Sequence, residues 1–209
     1  MVKAIKRRFK IVAVFFSCAL LLTACAQTWS TDYDQAPAAQ VARGWNVSSL
    51  SVNVPKELTV SEANVYAPNA DIVWREDPLG DRHEQVRSIV KVAAKRGVAG
   101  LSGRTPVKLT ITVHEFHALS DITRYQLSHS GVHNIRFSIA VHDARSGKLL
   151  AYEEDVKADL IAFTGQQARE AEKLGLTQKV RITDHIAKVI ASWLGTGPDV
   201  RTSFVRSGR

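Results

Sequence analysis

Residues 107–114 read VKLTITVH, and residues 135–141 read IRFSIAV. In the first stretch Val107, Leu109, Ile111 and Val113 alternate with Lys108, Thr110, Thr112 and His114; in the second, Ile135, Phe137, Ile139 and Val141 repeat the pattern. Successive side chains on a strand point to opposite faces, so each stretch reads as a strand with one apolar side. A sheet that is apolar on one side has to bury that side against something. The flanking sequence supplies the cover.

Asp81 with Glu84 makes a capping-box-like helix start. Val86, Ile89, Val90, Ala93 and Ala94 follow as a single apolar stripe, Lys95 and Arg96 occupy the last turn, and Gly97 is expected to supply a left-handed stop. A second helix is expected from about Thr177 to Leu194, with Ile182, Ile186, Val189, Ile190 and Trp193 on one stripe and Gly195 ending it. Asp143 to Lys148 reads as a hairpin turn, with Asp143 accepting backbone N–H groups and Gly147 at positive φ. The strand after it is expected to place Leu150, Tyr152, Val156, Ala158 and Leu160 on one side, with Glu154 interrupting where the strand twists into solvent. Upstream, Leu50 to Val54 alternates as a short strand stopped by Pro55, Ala70 to Arg75 reads as a second short strand, and Asp77 to Gly80 as a turn. Thr164 to Gly175 is a polar connection. The order β-α-β-β-β-α predicts an α+β, two-layer sandwich: an antiparallel sheet with two helices packed on one face.

Ahead of this domain the chain is of a different character. Lys3, Lys6, Arg7, Arg8 and Lys10 open it without an acid, and an apolar run of 12 residues from Ile11 to Leu22 follows. That is the layout of a secretory signal, and the run is short of the roughly 20 residues a spanning helix needs. Two cleavage chemistries fit its end. Ala24-Cys25-Ala26 suits an ordinary signal peptidase cutting after Ala26, which would give a plainly secreted protein. Leu22-Thr23-Ala24-Cys25 resembles a bacterial lipobox, in which Cys25 takes a diacylglyceryl group before cleavage ahead of it. Cysteine arithmetic favours the second. Cys18 leaves with the signal, so Cys25 is left without an intrachain partner, and a thioether cannot oxidise to a disulfide. The lipobox resemblance implies two or three acyl chains, palmitate among them, and Ala26 in place of Asp after the cysteine favours the periplasmic face of the outer membrane over the inner membrane.

Processing at that point leaves 185 residues, one domain with ends. The expected division is 1–24 signal peptide, 25–45 lipidated cysteine and flexible tether, 46–195 the α+β domain, and 196–209 a disordered tail. Trp29 and Tyr33 in the tether are expected near the lipid headgroups. The formal charge of +8 includes the five signal cations, so the mature chain is near +3, and neither bulk charge nor an exported location points to nucleic acid.

Seven histidines (His83, His114, His117, His129, His133, His142 and His185) raise a metal reading. His114-Glu115-Phe116-His117 lacks the i, i+4 spacing of a helical zinc site, and on a regular strand positions 114 and 117 point to opposite faces. If strands 107–118 and 132–142 pair through a loop centred near 125, His117 faces His133, and a metal-binding protein or enzyme using that pair is the alternative function. Two ligands without a third make a poor zinc site. Ser88-Ile89-Val90-Lys91 matches the Ser-x-x-Lys of penicillin-recognising enzymes, but no Ser-Asp-Asn or Lys-Thr-Gly accompanies it. Glu153-Glu154-Asp155 reads as a solvated acidic face, and Arg87, Lys91 and Lys95 as a basic helix exterior. No catalytic, cofactor-binding or metal residue is assigned.

The stretches ADIVWREDPLGDRHEQV (70–86), SIAVHDARSGKLL (138–150) and TQKVRITDHIAKVIASWLG (177–195) resemble an uncharacterised family of small lipoproteins from Gram-negative bacteria, a domain of unknown function. The resemblance implies no activity and carries over no functional residue apart from the lipobox Cys25. The expectation is a non-enzymatic envelope lipoprotein held to the membrane through Cys25, whose domain binds an envelope protein or polymer or serves as an accessory or assembly factor.

Overall fold

The structure, a computed structural model, describes residues 28–128 and 131–205. The expected signal segment, Cys18, Cys25, the alternative cut after Ala26, His129 and residues 206–209 lie outside the described residues. Along the chain run β1 (Thr28–Asp32), α1 (Ala39–Ala42), β2 (Trp45–Asn53), β3 (Ile72–Val73), α2 (Arg82–Gly97), β4 (Thr105–His117), α3 (Asp121–Gln126), β5 (Gly131–Asp143), β6 (Leu149–Ala158), β7 (Leu160–Ala162), α4 (Gly165–Lys173), α5 (Gln178–Trp193) and β8 (Thr202–Val205).

The two alternating stretches are the centre of the sheet. β4 and β5 pair antiparallel with Ile111 opposite Ile139 and Leu109 opposite Val141. The order among the described strands is β2-β4-β5-β6-β1-β8, with β3 beside the end of β4 and β7 beside the start of β5. α2 and α5 cover the apolar side, where Ile89, Val90, Ile186, Ile190 and Trp193 meet Leu109, Ile111, Phe137 and Ile139 in one core. The fold is the two-layer α+β sandwich that the patterning predicts. One edge differs. β2 and β3 run parallel to β4, with Leu50 beside Leu109 and Ile72 beside Phe116, so the sheet is mixed and not antiparallel throughout. The reason is α2: a helix between β2 and β4 crosses over the sheet and brings the chain back in the same direction.

Local chemistry sets the element ends. The Asp81 carboxylate accepts from the Glu84 N–H at 3.0 Å, and Thr177 Oγ1 accepts from the Val180 N–H at 3.4 Å, capping α2 and α5. Gly195 stops α5 at φ 65°. Asp143 Oδ1 accepts from the N–H groups of Arg145 and Ser146, and Gly147 completes the hairpin at φ 74°. Gly97 does not make the left-handed stop expected of it: it is the last residue of α2, and the cap is Val98 at φ −90°. A Cβ at position 97 would lie 2.8 Å from Ile190 Cβ and 2.9 Å from the Ala187 carbonyl oxygen. Its role is to let α2 and α5 approach.

β6 departs from its expected face. Leu150 and Tyr152 are exposed, while Glu153 is buried at 4 % exposure. The register runs from Phe137 opposite Val156 to Ile139 opposite Glu153, so a bulge inserts one residue and reverses which side faces the core. Glu153 is thus no part of a solvated face. Its Oε2 accepts from the N–H groups of Asp34 at 2.9 Å and Gln35 at 2.5 Å.

The chain ends are corrected as well. Residues 28–32, expected in a tether, are β1, paired with β6 through Thr31–Ala158 and with β8 through Thr28–Val205 and Trp29–Phe204. Residues 202–205, expected in a disordered tail, are that partner. Tyr33, expected at the headgroups, is buried, and its hydroxyl lies 2.8 Å from Ser192 Oγ on α5. The Trp193 indole N–H donates to the Gln35 carbonyl at 3.2 Å. These contacts join residues more than 150 positions apart, which local patterning does not register. Among the described residues no helix is long and apolar enough to cross a membrane.

Candidate functional site

The side of the sheet away from α2 and α5 carries polar residues: Ser51, Thr110, Thr112, Asn134 and Arg136, with Ser51 Oγ 3.0 Å from Thr110 Oγ1. A cleft of about 500 Å³ opens on this side where β3 meets β4, lined by Thr59, Asn69, Asp71, His114, Glu115, His117 and Arg136. A bulge builds it. Val113 faces Phe137 but Glu115 faces Arg136, so one extra residue is absorbed at His114. Phe116 then turns into the core, where it is fully buried and meets Trp74 edge-on at 5.8 Å, while Glu115 and His117 turn outward. His114 and His117 therefore line one cleft, not opposite faces as a regular strand would have it.

Each charged group in the cleft is held by the protein. Asp71 Oδ2 accepts from the Thr59 N–H at 2.8 Å and from Thr59 Oγ1 at 2.7 Å; the Thr59 hydroxyl and amide hold its carboxyl below the usual range. Glu115 Oε1 accepts from Asn134 Nδ2 at 2.6 Å, and Arg136 stands 3.8 Å from Glu115 while pairing with Asp155 at 2.8 Å. Burial pushes the Glu115 carboxyl up, with Arg136 opposing and the charges of Asp159 and Asp71 adding. Burial also pushes the His117 imidazole down, favouring its neutral form. Asn134 Oδ1 is a buried acceptor with no partner among the described residues. The cleft thus offers carboxyl groups, imidazoles, an amide and a guanidinium side by side, a set suited to hydrogen bonding with polar groups.

The expected facing of His117 and His133 is corrected by one residue. His117 stands opposite Asn134. A slip of one position moves a side chain to the other face, so His133 lies on the helix side of the sheet. It is 1 % exposed, and both of its ring nitrogens lack a partner among the described residues. Burial first, and the nearby charges of Arg181 and Arg124 next, push its pKa well below the usual value, so it stays neutral. Among the described residues no group of three or more His, Cys, Asp or Glu side chains is placed to hold a metal ion. Ser88 lines a shallow groove between α2 and α5 with Val92, Val180 and Thr183. Cys25, the lipid-modified residue expected from the lipobox, lies outside the described residues.

Sequence reasoning missed Asp71, Glu115, Asn134 and Arg136 as site residues. One signal was available: Phe116 breaks the odd-numbered apolar series of 107–113, which a bulge explains and a regular strand does not.

The model of a family of unknown function, DUF6778, matches residues 45–209. No curated protein matches the chain. Among solved structures, one PelC dodecamer of Paraburkholderia phytofirmans is similar at 12% identity and TM-score 0.37, covering 82% of this chain and 98% of that chain. A single-substitution form of that dodecamer is similar at 16% identity and TM-score 0.36, covering 81% and 98%. A candidate lipoprotein from Caulobacter crescentus is similar at 15% identity and TM-score 0.33, covering 51% of this chain and 81% of that chain. At such scores nothing is concluded from them about this chain.

Proposed function

We propose, for a chain that belongs to the DUF6778 family of unknown function, a lipid-anchored, non-enzymatic binding protein of the cell envelope. The anchor is Cys25, acylated after export and held at the periplasmic face of the outer membrane. Each buried methylene contributes about 0.8 kcal/mol, so two or three acyl chains make dissociation negligible. The domain presents its uncovered sheet face, with the 71/115/136 cleft, to a polar envelope partner. The observation that carries this reading is the cleft itself: its carboxylates are tied to Thr59, Asn134 and Arg136, an arrangement that holds a shape for recognition.

Two measurements test it. Metabolic labelling with a clickable fatty acid is expected to mark the wild type and not Cys25→Ser, and the variant should leave the membrane fraction. A native mass equal to the unmodified polypeptide from residue 27 rejects the anchor. For the domain, a photo-crosslinking residue at position 114 should capture a discrete envelope partner, and Arg136→Glu should abolish that capture while acylation persists. Capture indifferent to Arg136→Glu rejects the cleft as the binding surface.

A further inference from the structure

The anchor and the fold are closer together than a tether would place them. β1 begins at Thr28, three residues after Cys25, so the two Cα atoms are at most about 11 Å apart however the intervening residues run. The start of β1 marks one end of the domain. Val205 pairs with Thr28, and the Ser30 N–H donates to Asp159 Oδ2 at 3.0 Å. Asp159 leads into β7, where Ile161 stands opposite Val132 near the start of β5. The Ile161 carbonyl accepts from Arg181 Nη2 at 2.7 Å, and the Arg181 guanidinium lies 3.4 Å from the centre of the Phe163 ring. Leu176 lines a small recess with Phe163 and Arg181.

That end exposes several apolar side chains. Ile161 is 54 % exposed, Leu174 76 %, Leu176 45 % and Val205 56 %. Cations accompany Ile161, Leu174 and Leu176. Arg169 and Lys173 are exposed on α4, and Arg181 is half-buried with a backbone carbonyl and an aromatic ring as partners. The acids nearby are engaged: Glu172 pairs with Arg124 at 2.6 Å, and Glu170 accepts from Gln166 at 2.7 Å. In sequence, Arg206 follows Val205 directly and Arg209 comes three residues later.

We propose that this end of the domain rests on the phospholipid bilayer, with Ile161, Leu174, Leu176 and Val205 in the headgroup layer and Arg169, Lys173 and Arg181 toward its phosphates. The proposal rests on acylation of Cys25, which holds the start of β1 within about 11 Å of the lipidated residue. Apolar side chains flanked by cations suit an interface where acyl chains end and anionic headgroups begin. The sheet then stands on its end, and the hairpin at 143–148 points away, about 35 Å along β5 from the contact.

The test uses the full acylated chain in vesicles of phosphatidylethanolamine and phosphatidylglycerol. Ile161→Cys, Leu174→Cys and Arg145→Cys each receive an environment-sensitive fluorophore, and a headgroup-level nitroxide lipid is the quencher. Position 145, in the hairpin, is the distant control. Labels at 161 and 174 should be quenched several-fold more than the label at 145. Equal quenching at all three positions in protein whose mass shows the acyl chains overturns the docking and leaves the anchor standing. A mass without acyl chains overturns the anchor, and the docking falls with it.

Discussion

Gly97 lies where α2 and α5 touch, and its missing side chain is what the contact requires. Ile190 Cβ would be 2.8 Å from a Cβ there. A left-handed cap tolerates Asn better than Ala; a tight helical contact tolerates Ala better than Asn. Gly97→Asn is therefore expected to cost about 1–3 kcal/mol in urea denaturation, and more than Gly97→Ala. The reverse order would return the residue to its cap role. Glu153 is the second instructive residue, because its carboxylate holds the Asp34 and Gln35 N–H groups. Glu153→Ala should cost about 1.5–3 kcal/mol, the scale of a hydrogen bond to a charged group. A loss under half a kilocalorie, about the size of an ordinary surface substitution, would mean that water replaces it. Neither role was legible beforehand. A glycine after Lys95 and Arg96 reads as a stop, and a glutamate in an acidic run reads as solvated, because both signals are local while the deciding neighbours are α5 and residues 34–35.

At the scale of elements, the strong periodicities carried through: α2, α5, β4, β5 and the hairpin stand where the apolar stripes and the Asp143–Gly147 turn place them. The short elements did not announce themselves. β1 and β8 are stable by pairing with each other and with β6, not by their own composition. Amides in residues 28–32 and 202–205 are expected to exchange slowly, and those of residues 28–32 to lose protection when residues 202–209 are removed. Exchange at the unfolded-chain rate in the intact protein would restore the tether reading. α3 is held in the same way, through Arg124, which is 7 % exposed at its side chain and pairs with Glu76 at 3.2 Å and Glu172 at 2.6 Å. Arg124→Met leaves two carboxylates without their partner and should destabilise by about 3–5 kcal/mol, measured as a shift in the urea midpoint.

For the whole molecule, the helix side of the sheet makes stability depend on pH. Burial pushes His185 down to about 4, against a backbone contact from Asp159 that favours the cation, and burial also holds His133 well below its usual value. Both are neutral when folded, whereas an unfolded histidine titrates near 6.5, about where a free imidazole does. As pH falls through the interval between the unfolded value and about 4, the unfolded chain binds more protons, so stability falls with pH by up to about 1.4 kcal/mol per unit for each histidine. The raised carboxyls of Asp159 and Glu115 act with the opposite sign, nearer the carboxylate range. Urea denaturation should show lower stability at pH 5 than at pH 7.5, with a shallower decline in His185→Gln; equal stability at the two pH values would contradict the burial of both rings. On its own, the order of residues determined a sheet apolar on one side and two helices to cover it, because period and capping are properties of neighbours in the chain. Only the tertiary structure decided that the sheet is mixed, that β1 and β8 extend it beyond β6, and that His117 shares a cleft with Glu115 and Arg136 and not with His133. Those outcomes turn on strand register and bulges, where one residue more or less sends a side chain to the other face, and register is settled by partners far away in sequence.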